Sequence, residues 1–202
     1  MKTYSRLLLA FLLLILVVPQ VVADDPPKDG KHVEYYRSGQ KQAERNFKNG
    51  EKDGTQTYWY ENGQKDSEAH YKNGVEHGLW TWWYENGQKE VEAHWKDGVE
   101  HGLWTWWYEN GQKWMESHFK NGEQDGLETY WYENGQKEVE AHWKDGKQVG
   151  LSTGWYENGQ KESEYHYKNG KKDGLATWWH ENGQLSEKIW CHDGKEVSRK
   201  RF

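Results

Sequence analysis

Hydrophobic and polar positions alternate along this chain, and the alternation restarts every 24 residues. The clearest stretch is 78–101, GLWTWWYENGQKEVEAHWKDGVEH. GLWTWWYENGQK returns letter for letter from Gly102, and 84–98 returns unchanged as 132–146. The runs between turns are rich in β-branched and aromatic residues, as strands favour. Two series of turn signals separate them. One is Asn-Gly at Gly63, Gly87, Gly111, Gly135, Gly159 and Gly183; the other is Asn-Gly or Asp-Gly at Gly74, Gly98, Gly122, Gly146, Gly170 and Gly194. Both are read as two-residue type I′ turns, whose positive φ angles Gly, Asn and Asp supply at low cost. Each unit is then two antiparallel strands, and no proline after Pro27 interrupts the ladder.

The expected fold is all-β: an elongated, twisted antiparallel β-meander of seven tandem β-hairpin repeats, an open-ended single-layer sheet. A fixed period of this length marks repeat architectures. The units are 30–53, 54–77, 78–101, 102–125, 126–149, 150–173 and 174–197, followed by a basic C-terminal tail at 198–202. Fourteen strands spaced about 4.8 Å apart give a length of roughly 65 Å.

Two-residue turns also set the register. Around Asn86-Gly87, Tyr84 faces Lys89, Trp82 faces Val91, Trp80 faces Ala93 and Gly78 faces Trp95, all on one side of the sheet. Leu79, Thr81 and Trp83 lie on the other, with Glu90, Glu92 and His94. A third glycine class, Gly54 to Gly174 at the same period, is read as a bare strand position over which the opposite ring lies. A β-bulge is the alternative, and would shift the faces beyond it.

Composition explains how one layer is held together. Fifteen tryptophans and thirteen tyrosines stand where a two-layer protein would use Leu and Ile. Rings lying across neighbouring strands add about 0.2–1 kcal/mol per pair. The net charge is −6, and −8 without Lys2 and Arg6, which argues against nucleic acid as a partner. Lys2 and Arg6, the apolar run Leu7 to Val18 and the small residue Ala23 have the order of a secretory signal peptide, 1–23, cleaved after Ala23. Residues 24–29 read as a linker, and the mature chain as secreted, periplasmic or cell-envelope. Cys191 is the only cysteine and sits in the column of Trp95, Phe119, Trp143 and Tyr167, so a packed thiol is expected rather than a disulfide.

The end units differ from the rest, as capping repeats do. Unit one has Arg37-Ser38-Gly39 for the usual turn and Arg45 in an inward column. Unit six has Gly154 in a tryptophan column, predicting a gap. Unit seven has His180 for the tyrosine and Ile189-Trp190-Cys191-His192 at the end.

The consensus W-Y-E-N-G-Q-K-x-x-E-x-H-[YWF]-K-[ND]-G-x-x-x-G resembles the MORN repeat in its variant form, from Gly30 to about Val197. The resemblance implies one hairpin per repeat and a scaffold or interaction surface. It also implies contact with lipid, proposed for some members, and dimerisation, a recurring theme in the family; some relatives carry an antitoxin label, which fits poorly with a signal peptide.

Two columns invite a chemical reading. Glu68/His70, Glu92/His94, Glu116/His118, Glu140/His142 and Glu164/His166 recur once per unit. Equivalent strands lie roughly 10 Å apart, too far for neighbouring histidines to share one zinc ion at about 2 Å, so solvated charges with mutual pairing are expected and no metal or cofactor. Two ring ladders are candidate binding surfaces: one is Trp59, Trp83, Trp107, Trp131, Trp155 and Trp179, the other Tyr58, Trp82, Trp106, Tyr130 and Trp178. No hydrolase, metalloprotease or phosphate-loop motif stands apart from the repeat, so an enzyme is not expected. The reading is an exported, non-enzymatic scaffold that binds a protein partner or itself. The alternative is a cell-envelope module contacting glycan or membrane through its tryptophans, with an antitoxin-like immunity protein well behind.

Overall fold

The computed structural model describes residues 28–202, so the signal segment and nearly all of the linker lie outside the described residues. One antiparallel sheet of 18 strand segments runs through the chain, each segment paired with its neighbour in sequence. No pairing closes Gly30–Tyr35 onto Lys195–Arg201, so the sheet is open. Three strands are each broken in two just before a glycine, as at His77 between Val75–Glu76 and Gly78–Trp83. Counting each broken strand once, the meander has one more course than the fourteen expected. The addition is Lys195–Arg201, which turns the supposed tail into an exposed edge strand paired with Leu185–His192.

The two turn series prove different. At Asp97-Gly98 both φ angles are positive, 52° and 81°, and the type I′ reading holds. At Asn86-Gly87 only the glycine is positive, at 82°. There the Tyr84 amide donates to the Gln88 carbonyl at 2.9 Å, and the Gly87 amide to the Tyr84 carbonyl at 2.8 Å. This is a three-residue loop, a type I turn ending in a left-handed glycine. Asparagine earns its place through its side chain instead: Asn86 Oδ1 accepts from the Gln88 amide at 2.9 Å.

The longer loop should have slipped the register by one residue. Trp83, not Tyr84, does face Lys89, but a bulge at Glu90 restores the expected pairs Trp82–Val91, Trp80–Ala93 and Gly78–Trp95. The third glycine class is a bulge too, not a bare seat for a ring. Between the pairs Tyr71–Glu76 and Glu68–Thr81 the later strand carries two more residues than the earlier one. Gly78 there has φ 79°, and a Cβ on it would approach His70 Cβ at 3.8 Å rather than a ring. Because the excess is two, the alternation of faces survives.

Burial is thin, as one layer dictates. Most of the buried side chains are small or polar, such as Ala93, Ala141, Ser117 and the threonine column Thr57 to Thr177, with Met115, Tyr165 and Ile189 as large exceptions. Gly154 interrupts the ring ladder as expected but leaves no void, since it is buried and a Cβ there would lie 2.8 Å from Ser163 Oγ.

Candidate binding faces

The two candidate ladders lie on opposite faces. Trp59, Trp83, Trp107, Trp131, Trp155 and Trp179 share a striped face with the lysines of the preceding unit. Lys65 Nζ lies 5.3 Å from the Trp83 ring centre, Lys89 5.7 Å from Trp107 and Lys113 5.8 Å from Trp131. Each lysine also pairs with the glutamate three residues on, as Lys65 does with Glu68 at 2.6 Å and Lys89 with Glu92. The glutamate column therefore neutralises lysine, and the expected Glu–His pairing does not form. The histidines do something else: His70 Nδ1 lies 2.8 Å from the Leu79 carbonyl, and His94 Nδ1 3.0 Å from that of Leu103. They hold the bulge at the strand glycine. Among the described residues no three metal-capable side chains gather.

The turn residues tie unit to unit. Tyr84 Oη donates to the Trp107 carbonyl at 2.7 Å, and Asn86 Nδ2 to that of Glu109 at 2.9 Å. Tyr60, Tyr108, Tyr132 and Tyr156 repeat the first bond at 2.7–2.8 Å. Each such bond contributes about 1 kcal/mol. Sequence reasoning missed these roles because they cross between units, where no local pattern points.

The other face is aromatic in units two to four. Ring contacts run unbroken from Tyr71 to Trp80 (5.2 Å), Trp95 (5.3 Å), Trp104 (5.3 Å) and Phe119 (5.1 Å). Trp82 and Trp106 flank this line, 5.5 and 5.6 Å from Trp80 and Trp104. All seven rings are half-buried. Two rows of carboxyls border them. Glu76 and Glu100 sit opposite Tyr71 and Trp95; Asp66 and Glu90 occupy the bulges near the other rim. Burial pushes the Asp66 and Glu90 carboxyls up, and for Glu90 the charges of Asp66 and Glu109 add to it.

The ring line stops at unit five, where Glu128 takes the column of Trp80 and Trp104. Its buried carboxylate accepts from Gln124 Nε2 at 2.6 Å, Trp143 Nε1 at 2.8 Å and Tyr130 Oη at 3.3 Å. Burial raises its pKa, and the three donors pull the other way. In unit three the equivalent indole nitrogen, Trp95 Nε1, is buried without an acceptor.

Comparison with curated proteins returns no match. The family model described as MORN repeat variant matches residues 28–49, 52–73, 76–97, 100–121, 124–145, 148–169 and 172–189. Seven consecutive matches, in step with the hairpins and covering most of its length, show that this chain belongs to the MORN repeat variant family.

Proposed function

We propose that this repeat protein is an exported, non-enzymatic scaffold that binds protein partners, itself among them. The observation that carries the reading is the aromatic face: seven contiguous rings lie half-buried with no second layer over them among the described residues. Contiguous apolar surface of this kind marks interaction sites. Export is supported by the order of charged, apolar and small residues in 1–23.

Light-scattering mass of the full chain across a concentration series tests self-association. A mass rising above the 24.1 kDa monomer is expected. Loss of the larger species in reductant would implicate Cys191, a free and half-buried thiol. A monomer at every concentration removes self-association and leaves a different protein as partner.

A second reading is favoured by the striped face. One tryptophan per unit, with its lysine and glutamate, recurs at the unit spacing of roughly 10 Å. Such a row suits an extended glycan or a membrane surface. Saturable heat on adding a cell-wall polysaccharide, or sedimentation with vesicles, would support it.

A further inference from the structure

The column that borders the aromatic face changes charge along the molecule. It reads Lys52, Glu76, Glu100, Gln124, Gln148, Lys172 and, on the edge strand, Glu196, which pairs with Arg199. On either side of the Glu and Gln stretch, Lys52 and Lys172 lie on the rings of that same face. Lys52 Nζ is 4.6 Å from the centre of Tyr71, and Lys172 Nζ is 3.5 Å from that of Tyr165 and 6.0 Å from that of Trp178. Between them, where the floor is richest in tryptophan, the column turns acidic and no lysine covers the rings.

The carboxylates there lack ion pairs, although Glu76 feels the charge of Lys52 and Asp66 accepts hydrogen bonds from Tyr60 and Ser67. Among the described residues Asp66, Glu76, Glu90 and Glu100 make no ion pair, whereas Glu68, Glu92 and Glu116 each have a lysine. A tryptophan floor between two carboxylate rows without ion pairs attracts cations twice, through ring quadrupoles and through opposite charge.

We propose that the aromatic face of units two to four is a trough for a basic segment of a partner protein. Its Lys or Arg side chains lie over Trp80, Trp95 and Trp104 and pair with Glu76 and Glu100 on one rim and with Asp66 and Glu90 on the other. The chain's own Lys52 and Lys172 display the same contact on either side of the Glu and Gln stretch. The proposal rests on the protein-binding reading and adds the chemistry of the partner. A basic peptide fits better than a lipid surface, because anionic headgroups would meet four carboxylates without ion pairs.

The test is calorimetric titration of the full chain with a peptide of alternating arginine and leucine, and with its glutamate–leucine counterpart. Binding of the first alone is expected, weakening as salt rises. Two double variants copy residues the column already uses, so the fold should tolerate them. E76Q/E100Q, after Gln124 and Gln148, should bind about tenfold more weakly. E76K/E100K, after Lys52 and Lys172, should place the chain's own ammonium groups on the rings and abolish binding.

Equal binding of both peptides overturns the proposal, as does unchanged affinity in E76K/E100K or binding of anionic vesicles in place of the arginine peptide. Failure to bind, in a chain that light scattering shows to self-associate, removes the trough and leaves the scaffold reading standing.

Discussion

At the scale of single residues, identical letters do different work. Asn86 and Asp97 both precede glycine, yet only Asp97 adopts a positive φ. Asn86 uses its amide and carbonyl to lock its own loop and reach the next unit. The glycines divide likewise. A Cβ on Gly87, at φ 82°, would collide with Gln64 Oε1 of the preceding unit, whereas one on Gly150, at φ 68°, would meet nothing within 4 Å. Gly150→Ala should cost the left-handed strain alone, roughly 1–2 kcal/mol. Gly87→Ala adds only displacement of the far end of the exposed Gln64 side chain and should cost about the same as Gly150→Ala. Urea midpoints of the two variants compare them; a larger loss in Gly87→Ala would mean that Gln64 does not swing aside freely. The turn signals were legible in the sequence. Which turn each one makes was not, because Asn-Gly satisfies both geometries.

At the scale of the hairpin, facing residues on the aromatic side compensate in size. The pairs are Gln56–Ala69, Trp80–Ala93, Trp104–Ser117, Glu128–Ala141, Ser152–Tyr165 and Ala176–Ile189. The large member changes strand after unit five, and Tyr165 and Ile189 then become buried. One layer leaves space for one bulky side chain per pair. Trp80→Ser alone should cost roughly 2 kcal/mol, less than a fully buried ring would. Ala93→Tyr alone should cost about 1–3 kcal/mol through crowding. Together they rebuild the unit-six pair, so the double variant should lose at least about 1 kcal/mol less than the sum. Denaturation of the four proteins closes the cycle, and additive losses would show that the two positions do not share space. The alternation was readable from the first; the exchange of bulk appears only once the register is known.

At the scale of the molecule, each unit touches only its neighbours, through strand pairing, the tyrosine and asparagine bonds and the lysine–tryptophan contacts. Stability in such a chain is close to a sum of unit and interface terms. Removal of 78–101 joins unit two to unit four, whose first twelve residues match those lost. The shortened protein should fold, with a smaller urea dependence and a lower midpoint, since less surface is buried. Loss of cooperative unfolding would show that unit three makes contacts beyond its neighbours. The open ends differ: Lys195–Arg201 is exposed throughout, and its cations blunt an unpaired edge.

By itself the sequence determined the period, the hairpins, the central register and the separation of two ring ladders onto opposite faces. These follow from local chemistry repeated in phase, since side chains alternate along a strand whatever lies beside it. Only the tertiary structure decided which residues join neighbouring units and what each polar column does. Glu92 neutralises Lys89, and His94 holds the bulge rather than pairing with glutamate. That the carboxylates bordering the tryptophan floor have no ion pair among the described residues emerged in the same way. Those outcomes depend on distances across strands, set by two bulges, of which the sequence offered only the one at the strand glycine, as an alternative.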